Sequence, residues 1–296
     1  MSDFSPEVRN SAIWSGDSRK VANGKAAEVV LTKQGKMDIP DLSGIEAVRM
    51  GLVMQPLIGR LAQDKLQMEL KDADYSLSHR NEPWLRSHFD FISEDGSVLV
   101  EAKNYAAGSR SKFDSDNNII PAADYAQLVH ECSVHGIERI VLAVLFGGQE
   151  FCTFDFQITD GEKEELIKKM AKVWAHVQAG TLPEPDSIEA AKLIYPHSND
   201  NTVVANRSIE QHCLLLKQLK DKAKELDAHI DESELAIRNA MGEASVLSSM
   251  GGEILATWKT SKASKRFNAD MFRQAMPDLF DSFVMEAPGS RRFLIK

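Results

Sequence analysis

Two acidic residues and a lysine are spaced in this sequence in a way that suits phosphate chemistry. Glu101 follows Asp90 after 11 residues, and Lys103 comes two residues after Glu101. Alternate residues of a β-strand point to one face, so Glu101 and Lys103 would point together while Ala102 points away. Two converging carboxylates can hold Mg²⁺ or Mn²⁺, which activates water. An ammonium group beside them can orient that water or stabilise the charge of the transition state.

A β-hairpin is needed to bring the first carboxylate to the other two residues. Phe89 to Ile92 is predicted to be one strand, residues 94–96 (EDG) a turn, and Val98 to Tyr105 the returning strand. Pairing about this turn places Asp90 opposite Glu101 and Lys103. The residues alone are equally consistent with a surface hairpin that carries a cross-strand ion pair, although the apolar neighbours of the carboxylates favour a functional site.

The elements around this hairpin alternate between helix and strand. A helix from Ser43 to Leu70 is expected to bend or restart at Pro56. The later elements are a helix over 122–135, strands over 140–146 and 151–158, and a helix over 161–179. This order predicts an α/β fold with a mixed sheet flanked by helices.

The sequence changes character after Pro183. Residues 183–207 are rich in Pro, Asn and Ser and suggest a connector between a first domain, 1–182, and a C-terminal part, 208–296. A heptad pattern then predicts a long helix, which either packs on its own domain or forms an arm that reaches a partner. Its core positions are Ile209, His212, Leu216, Leu219, Ala223, Leu226, Ile230, Ser233, Ile237 and Ala240. A small α+β tail follows, with strands predicted over 254–260 and 291–296 and a helix over 269–276.

Composition sets wide bounds on function. The net charge of −9 does not argue for nucleic acid, but phosphate contacts need only a local basic surface. One such stretch contains Lys259, Lys262, Lys265 and Arg266, and it suits either a DNA backbone or a solvated loop. There is no apolar run long enough for a membrane span and no signal-peptide pattern. The three scattered cysteines fit neither disulfides nor zinc, so we expect a cytoplasmic protein.

With these elements in order, the chain resembles the PD-(D/E)XK nucleases, and among them the lambda exonuclease and YqaJ-type viral recombinase families. The resemblance is carried by motifs that follow one another over nearly the whole chain. They are Arg9 with residues 13–18 (IWSGDS), 31–36 (LTKQGK), 51–56 (GLVMQP), the hairpin, 125–127 (YAQ) 24 residues after the lysine, 256–259 (ATWK) and 291–293 (RRF).

This resemblance implies a restriction-endonuclease-like fold and a role for each matching residue. Asp90, Glu101 and the Ala102 carbonyl would be metal ligands, and Lys103 would be the catalytic lysine. Gln127 would orient the site or the strand, while Arg9 and Ser15 would hold a DNA phosphate. The implied activity is digestion of one strand of linear double-stranded DNA, from the 5′ end, during phage-type recombination. A single-strand annealing protein and a homo-oligomer, with a ring as one arrangement, are the implied partners.

Two departures from the family pattern bear on activity. Gln55 stands where the family has a glutamate at the metal site, which puts a second metal ion and full activity in doubt. The proline that usually precedes the first aspartate is also missing. Two alternatives therefore remain open. One is an endonuclease or processing nuclease on the same fold, and the other is a catalytically weakened DNA-binding or assembly factor.

Overall fold

The computed structural model describes residues 5–38, 42, 44–286 and 289–296. The chain forms two compact units, Met1–Pro196 and His197–Lys296. The division lies inside the segment interpreted as a connector, although residues 188–194 of that segment form a helix. In the part of the chain that is described, no helix is both long and apolar enough to cross a membrane.

The described residues of the first unit include eight strands. They are β1 (Ile13–Trp14), β2 (Leu70–Asp72), β3 (Ser76–Ser78), β4 (Leu85–His88), β5 (Phe91–Ser93), β6 (Val98–Tyr105), β7 (Arg139–Phe146) and β8 (Glu150–Gln157). Five of them form the main sheet in the order β2-β5-β6-β7-β8, and the other three form a small sheet in the order β1-β4-β3. In the main sheet only β6 and β7 are parallel. The predicted mixed sheet is therefore confirmed.

Helices flank this sheet. They are α1 (Pro6–Asn10), α2 (Ser15–Ala22), α3 (Ala26–Lys33), α4 (Glu46–Leu66), α5 (Ala122–His135), α6 (Asp160–Ala179) and α7 (Ile188–Ile194), with a 3₁₀ helix over Ala107–Lys112. The crossover helix α5 connects the parallel strands β6 and β7, as parallel pairing requires. It ends at Gly136, whose φ of 86° suits a glycine after the last turn.

The alternation of β6 divides the apolar residues between two cores. Leu99 packs with the larger core, which includes residues of α2, α3, α5 and α6. Val98 and Val100 pack with the smaller core, to which α4 contributes Ile58 and Ala62. Glu101 and Lys103 have the same parity as Leu99, so they share the face of the sheet that α5 covers.

Helix α4 approaches the sheet closely at one glycine. A Cβ atom added to Gly59 would lie 2.5 Å from Cζ of Phe91, so only glycine lets the helix rest on this ring. Gln55 lies one helical turn before Gly59, and Asp90 directly precedes Phe91. The close approach therefore also sets the distance between Gln55 and Asp90.

Two local predictions differ from the structure, and a third falls on a residue that it does not describe. The strand expected over 89–92 begins only at Phe91, so Asp90 lies just before it. Helix α4 begins at Glu46 and continues through Pro56, which removes one backbone hydrogen bond without ending the helix. The expected N-cap, Ser43, lies outside the described residues.

The second unit consists mainly of one long helix. Its elements are α8 (Arg207–Met241), β9 (Val246–Ser248), β10 (Ile254–Thr257), α9 (Ala269–Ala275) and α10 (Pro277–Ser282), with β9 and β10 antiparallel. The predicted final strand over 291–296 is wrong: these residues form neither helix nor strand and are largely exposed. A short apolar run does not form a strand without a neighbouring edge to pair with.

Candidate active site

The two strands of the central hairpin differ in length, and this difference exposes a backbone donor. β5 pairs with β6 only as far as Phe91, which lies opposite Val100, whereas β6 continues to Tyr105. Asp90 fills the place of the missing strand residue, and its Oδ2 accepts a hydrogen bond of 2.9 Å from the N–H of Ala102. The first carboxylate is thereby fixed beside the second half of β6.

Gln55 holds the other oxygen of the same carboxylate. Its Nε2 donates to Oδ1 of Asp90 at 2.9 Å, across a separation of 35 residues. The contact joins α4 to the start of β5. Because both carboxylate oxygens have a donor, the orientation of Asp90 is defined from two sides.

Glu101 and Lys103 form a buried ion pair on the α5 side of β6. Nζ of Lys103 donates to Oε1 of Glu101, and the side chain of Glu101 is only 6% exposed against 20% for Lys103. A charge removed from water in this way needs a partner with good geometry. The lysine provides it, two residues further along the same strand face.

A glutamine on α5 connects this pair to a third acid. Nε2 of Gln127 donates to Oε1 of Glu101 at 2.7 Å and to Oε1 of Glu131 at 2.9 Å. Gln127 and Glu131 are one helical turn apart and both are buried. Gln127 thus uses its amide group to hold two carboxylates in place.

The same face of β6 continues into a second polar cluster at Tyr105. Its hydroxyl donates to Oδ1 of Asp124 at 2.7 Å and accepts from Nη2 of Arg19 at 2.8 Å. Nε of Arg19 also lies 3.0 Å from Oδ1 of Asp124. A row of buried and half-buried polar groups therefore lies between β6, α5 and α2.

Acidic groups outnumber basic groups in this row. Burial and mutual repulsion therefore raise the pKa values of two of the acids. Burial, followed by the charge of Glu101, raises the pKa of Asp90 to about 8. Burial and Glu101 also raise the pKa of Glu131 well above its usual value. Burial acts to lower the pKa of Lys103, but the adjacent Glu101 outweighs it, and the pKa lies above its usual range. The site therefore favours additional positive charge.

The donor set fits a hard divalent cation that keeps part of its water. Mg²⁺ commonly uses one or two carboxylates together with waters and substrate oxygens, and Asp90, Glu101 and the Ala102 carbonyl can supply protein ligands of that kind. The raised pKa of Asp90 shows that its charge lacks compensation. Among the described residues, no group of three or more His, Cys, Asp or Glu side chains is arranged to hold a metal. This agrees with a neutral Gln55 beside Asp90.

The structure brings some of the predicted site residues together and leaves others elsewhere. The hydrogen bonds form two sets that meet on β6: Asp90 with Gln55 and the N–H of Ala102, and Glu101 with Lys103 and Gln127. Arg9 lies in α1, and its backbone carbonyl accepts a 2.6 Å bond from Nζ of Lys33. Ser15 is the first residue of α2 and is nearly buried.

The predicted basic stretch belongs to the second unit. Lys259, Lys262, Lys265 and Arg266 lie between β10 and α9 in a segment without helix or strand, and all four are exposed. This exposure is compatible with both sequence-based interpretations, contact with a DNA backbone and a solvated loop.

Sequence reasoning missed four polar residues of the row: Glu131, Tyr105, Asp124 and Arg19. Simple spacing rules could have found the first three. Tyr105 follows Lys103 on the same strand face, while Asp124 and Glu131 lie one turn to either side of Gln127. Arg19 carries no such signal, because its contact with Tyr105 spans 86 residues.

Comparison with known proteins gives only distant similarities. No protein-family model matches the sequence, and no curated protein matches it either. An alkaline exonuclease from Laribacter hongkongensis has 10% identity and a TM-score of 0.46, with 58% of this chain and 90% of that chain covered. The same exonuclease in complex with dAMP has 11% identity and a TM-score of 0.49, with 66% of this chain and 97% of that chain covered. A phage-related exonuclease from Haemophilus somnus has 13% identity and a TM-score of 0.41, with 54% of this chain and 79% of that chain covered. At these values the similarities do not assign a function to this chain.

Proposed function

We propose that this protein is a divalent-metal-dependent deoxyribonuclease. The observation that carries the proposal is the convergence of Asp90, Glu101 and Lys103, with the amides of Gln55 and Gln127 bonded to the two carboxylates. A buried carboxylate paired with an ammonium group and a half-buried carboxylate on the neighbouring strand suit hydrolysis of a phosphodiester, in which negative charge must be compensated. The motif resemblance described above implies the same chemistry.

Each residue of the group has a distinct part in this proposal. Asp90, Glu101 and the Ala102 carbonyl would hold Mg²⁺ or Mn²⁺, which supplies an activated water and neutralises phosphate charge when bound. Lys103, held protonated beside Glu101, orients that water and stabilises charge on the scissile phosphate. Gln127 positions Glu101, and Gln55 positions Asp90.

The finer proposal concerns the substrate. By the motif resemblance, we propose that the protein digests one strand of linear double-stranded DNA from the 5′ end, as a phage-type recombination exonuclease. Arg9 and Ser15 would hold a terminal phosphate, and the exposed basic stretch at 259–266 would contact the backbone. The exposed single strand would pass to an annealing protein. An endonuclease or processing nuclease on the same fold would use the same catalytic group.

A second candidate function rests on Gln55. A neutral amide beside Asp90 reduces the number of acidic ligands, and this favours a catalytically weakened protein that binds or assembles on DNA. The two functions differ in one observable property, because only the nuclease shortens DNA in the presence of a divalent cation.

The test is a digestion assay on linear duplex DNA labelled at either the 5′ or the 3′ end, with Mg²⁺, Mn²⁺ or EDTA. We expect metal-dependent loss from one labelled end and no digestion of closed circular duplex. Asp90→Asn should abolish digestion, whereas Glu164→Gln, the same change on an exposed face of α6, should leave it unchanged.

Three other outcomes would change the assignment. Cleavage of the closed circle would identify an endonuclease. Binding of DNA without cleavage in either metal would favour the weakened DNA-binding factor. Equal activity of wild type and Asp90→Asn would show that the catalytic group lies elsewhere.

A further inference from the structure

Helix α8 carries a long apolar stripe that the described residues of its own unit leave uncovered. Its 35 residues would span about 52 Å at the usual helical rise. Within this helix only Met241 is buried. Core heptad positions remain open to solvent, with Leu219, Leu226 and Ile230 being 52%, 60% and 47% exposed. A continuous apolar seam of this kind normally marks an interaction surface.

The charges of α8 are divided between its two halves. The half before the midpoint, between Lys224 and Glu225, carries five basic residues and two acids: Arg207, Lys217, Lys220, Lys222 and Lys224, with Glu210 and Asp221. The half after the midpoint carries five acids before its first base, Arg238: Glu225, Asp227, Asp231, Glu232 and Glu234. A helix charged in this way is complementary to a reversed copy of itself and repels a copy in the same direction.

The core residues show the same reversed complementarity. When two copies are antiparallel about that midpoint, the core layers pair as Ile209–Ala240, His212–Ile237, Leu216–Ser233, Leu219–Ile230 and Ala223–Leu226. Three of these layers set a large aliphatic side chain against Ala or Ser, which fills space evenly. A parallel pair would instead place Ala223 against Ala223 and His212 against His212, leaving underfilled and polar layers.

We infer that α8 is a self-association helix that forms an antiparallel two-stranded coiled coil with α8 of a second copy of this chain. In this arrangement Lys220 flanks the seam close to Asp227 of the other copy, and Cys213 lies close to Glu234 of the other copy. The inference does not depend on the proposed nuclease activity, since it uses only the charges and apolar layers of α8.

The first test is the mass of the full-length protein in solution, measured by light scattering and sedimentation across a concentration series. We expect wild type to associate and the seam variant Leu219→Asp/Ile230→Asp to have half its mass. The matched control is Leu214→Asp/Leu235→Asp, which changes two leucines that are also exposed but lie off the seam. A monomeric wild type, or equal masses for both variants, would overturn the inference.

The second test determines orientation and does not depend on how well the seam variant folds. Cys213 is exposed while Cys132 and Cys152 are buried, so Glu234→Cys adds one further accessible thiol. A short bis-maleimide should join Cys213 of one copy to the introduced thiol of the other, as read from tryptic peptides by mass spectrometry. In a parallel pair these two positions are about 31 Å apart along the helix. Cross-links between two copies of Cys213 alone would overturn the antiparallel arrangement.

Discussion

Gln55 and Asp90 are joined by a 2.9 Å hydrogen bond in which the amide donates to the carboxylate. The close approach of Gly59 to Phe91 fixes this contact, because it sets α4 directly over the start of β5. A neutral donor thus lies beside Asp90, whose pKa is raised to about 8 by burial and by the charge of Glu101. The identity of residue 55 therefore controls how much negative charge the site offers to a cation.

Gln55→Glu should strengthen the dependence of the site on a divalent cation. A third carboxylate beside Asp90 adds a metal ligand, so the Mg²⁺ concentration for half-maximal cleavage should fall several-fold. Without metal the added charge lacks a partner, so the melting temperature in EDTA should drop. The measurements are a Mg²⁺ titration of cleavage and thermal melts with and without Mg²⁺.

Gln55→Met is the control for that change, since it removes the hydrogen bond to Asp90 without adding a ligand. It should not lower the Mg²⁺ requirement. If Gln55→Glu left both the titration and the metal dependence of the melt unaltered, Gln55 would lie outside the metal site.

Lys103→Ala should remove cleavage while DNA binding persists. The ammonium group is in contact with Glu101, and a positioned group that orients water or stabilises charge contributes about 100-fold to 10,000-fold to rate. We expect single-turnover cleavage with saturating Mg²⁺ to fall by a factor in that range. Binding of the same duplex in Ca²⁺ should stay within a few-fold of wild type.

The loss of Lys103 also leaves Glu101 without its cation, so circular dichroism must show that the variant remains folded. Lys168→Ala removes an exposed lysine of α6 and serves as the matched control. Cleavage by folded Lys103→Ala within about threefold of wild type would contradict the assignment.

The strand face of β6 could be predicted from sequence because it depends on local alternation. The period of two residues placed Glu101 and Lys103 together, and the turn at 94–96 placed Asp90 near them. The α/β class followed in the same way from the order of helices and strands. These features are determined by residues that are close to one another in the sequence.

Features that depend on distant contacts could not be predicted. The hydrogen bond between Arg19 and Tyr105 joins residues 86 positions apart, and no pattern in the sequence predicts it. Whether Pro56 bends α4 depends on packing over the sheet rather than on proline alone. The final segment, 291–296, contains a short apolar run like that of a strand, but a strand also needs an edge with which to pair.

Glu131→Gln should preserve stability, whereas Glu131→Ala should not. Burial and Glu101 raise the pKa of Glu131 well above its usual value, which favours the neutral carboxyl group. A glutamine has nearly the same shape and polarity as that neutral group. We expect the free energy of unfolding of Glu131→Gln to lie within about 1 kcal/mol of wild type at pH 7. Glu131→Ala should lose about 2 kcal/mol or more by leaving a cavity beside Gln127.

Urea denaturation at pH 7 measures both values. A loss of more than about 2 kcal/mol in Glu131→Gln would mean that an ionised Glu131 is needed near Lys103, and would contradict the preference of this buried position for a neutral group.

His130 should make the protein less stable in acid, because its ring is fully buried. Its Nε2 donates to the carbonyl of Arg86, and its Nδ1 accepts from the hydroxyl of Ser18 at 2.7 Å. Burial lowers the pKa of His130 from 6.5 to about 4. Between these two pH values the unfolded chain binds a proton that the folded protein does not, so the stability contribution falls as pH decreases.

The magnitude of this effect follows from the shift in pKa. Relative to His130→Gln, which cannot titrate, wild type should lose about 3 kcal/mol of unfolding free energy between pH 7.5 and pH 4. The raised pKa of Asp90 acts in the opposite sense, since a carboxyl group that is protonated in the folded protein favours the fold at low pH. Asp90 is present in both proteins, so its contribution cancels when their urea midpoints are compared. A constant difference between the two proteins from pH 7.5 to pH 4 would show that His130 titrates normally and is not held neutral by burial.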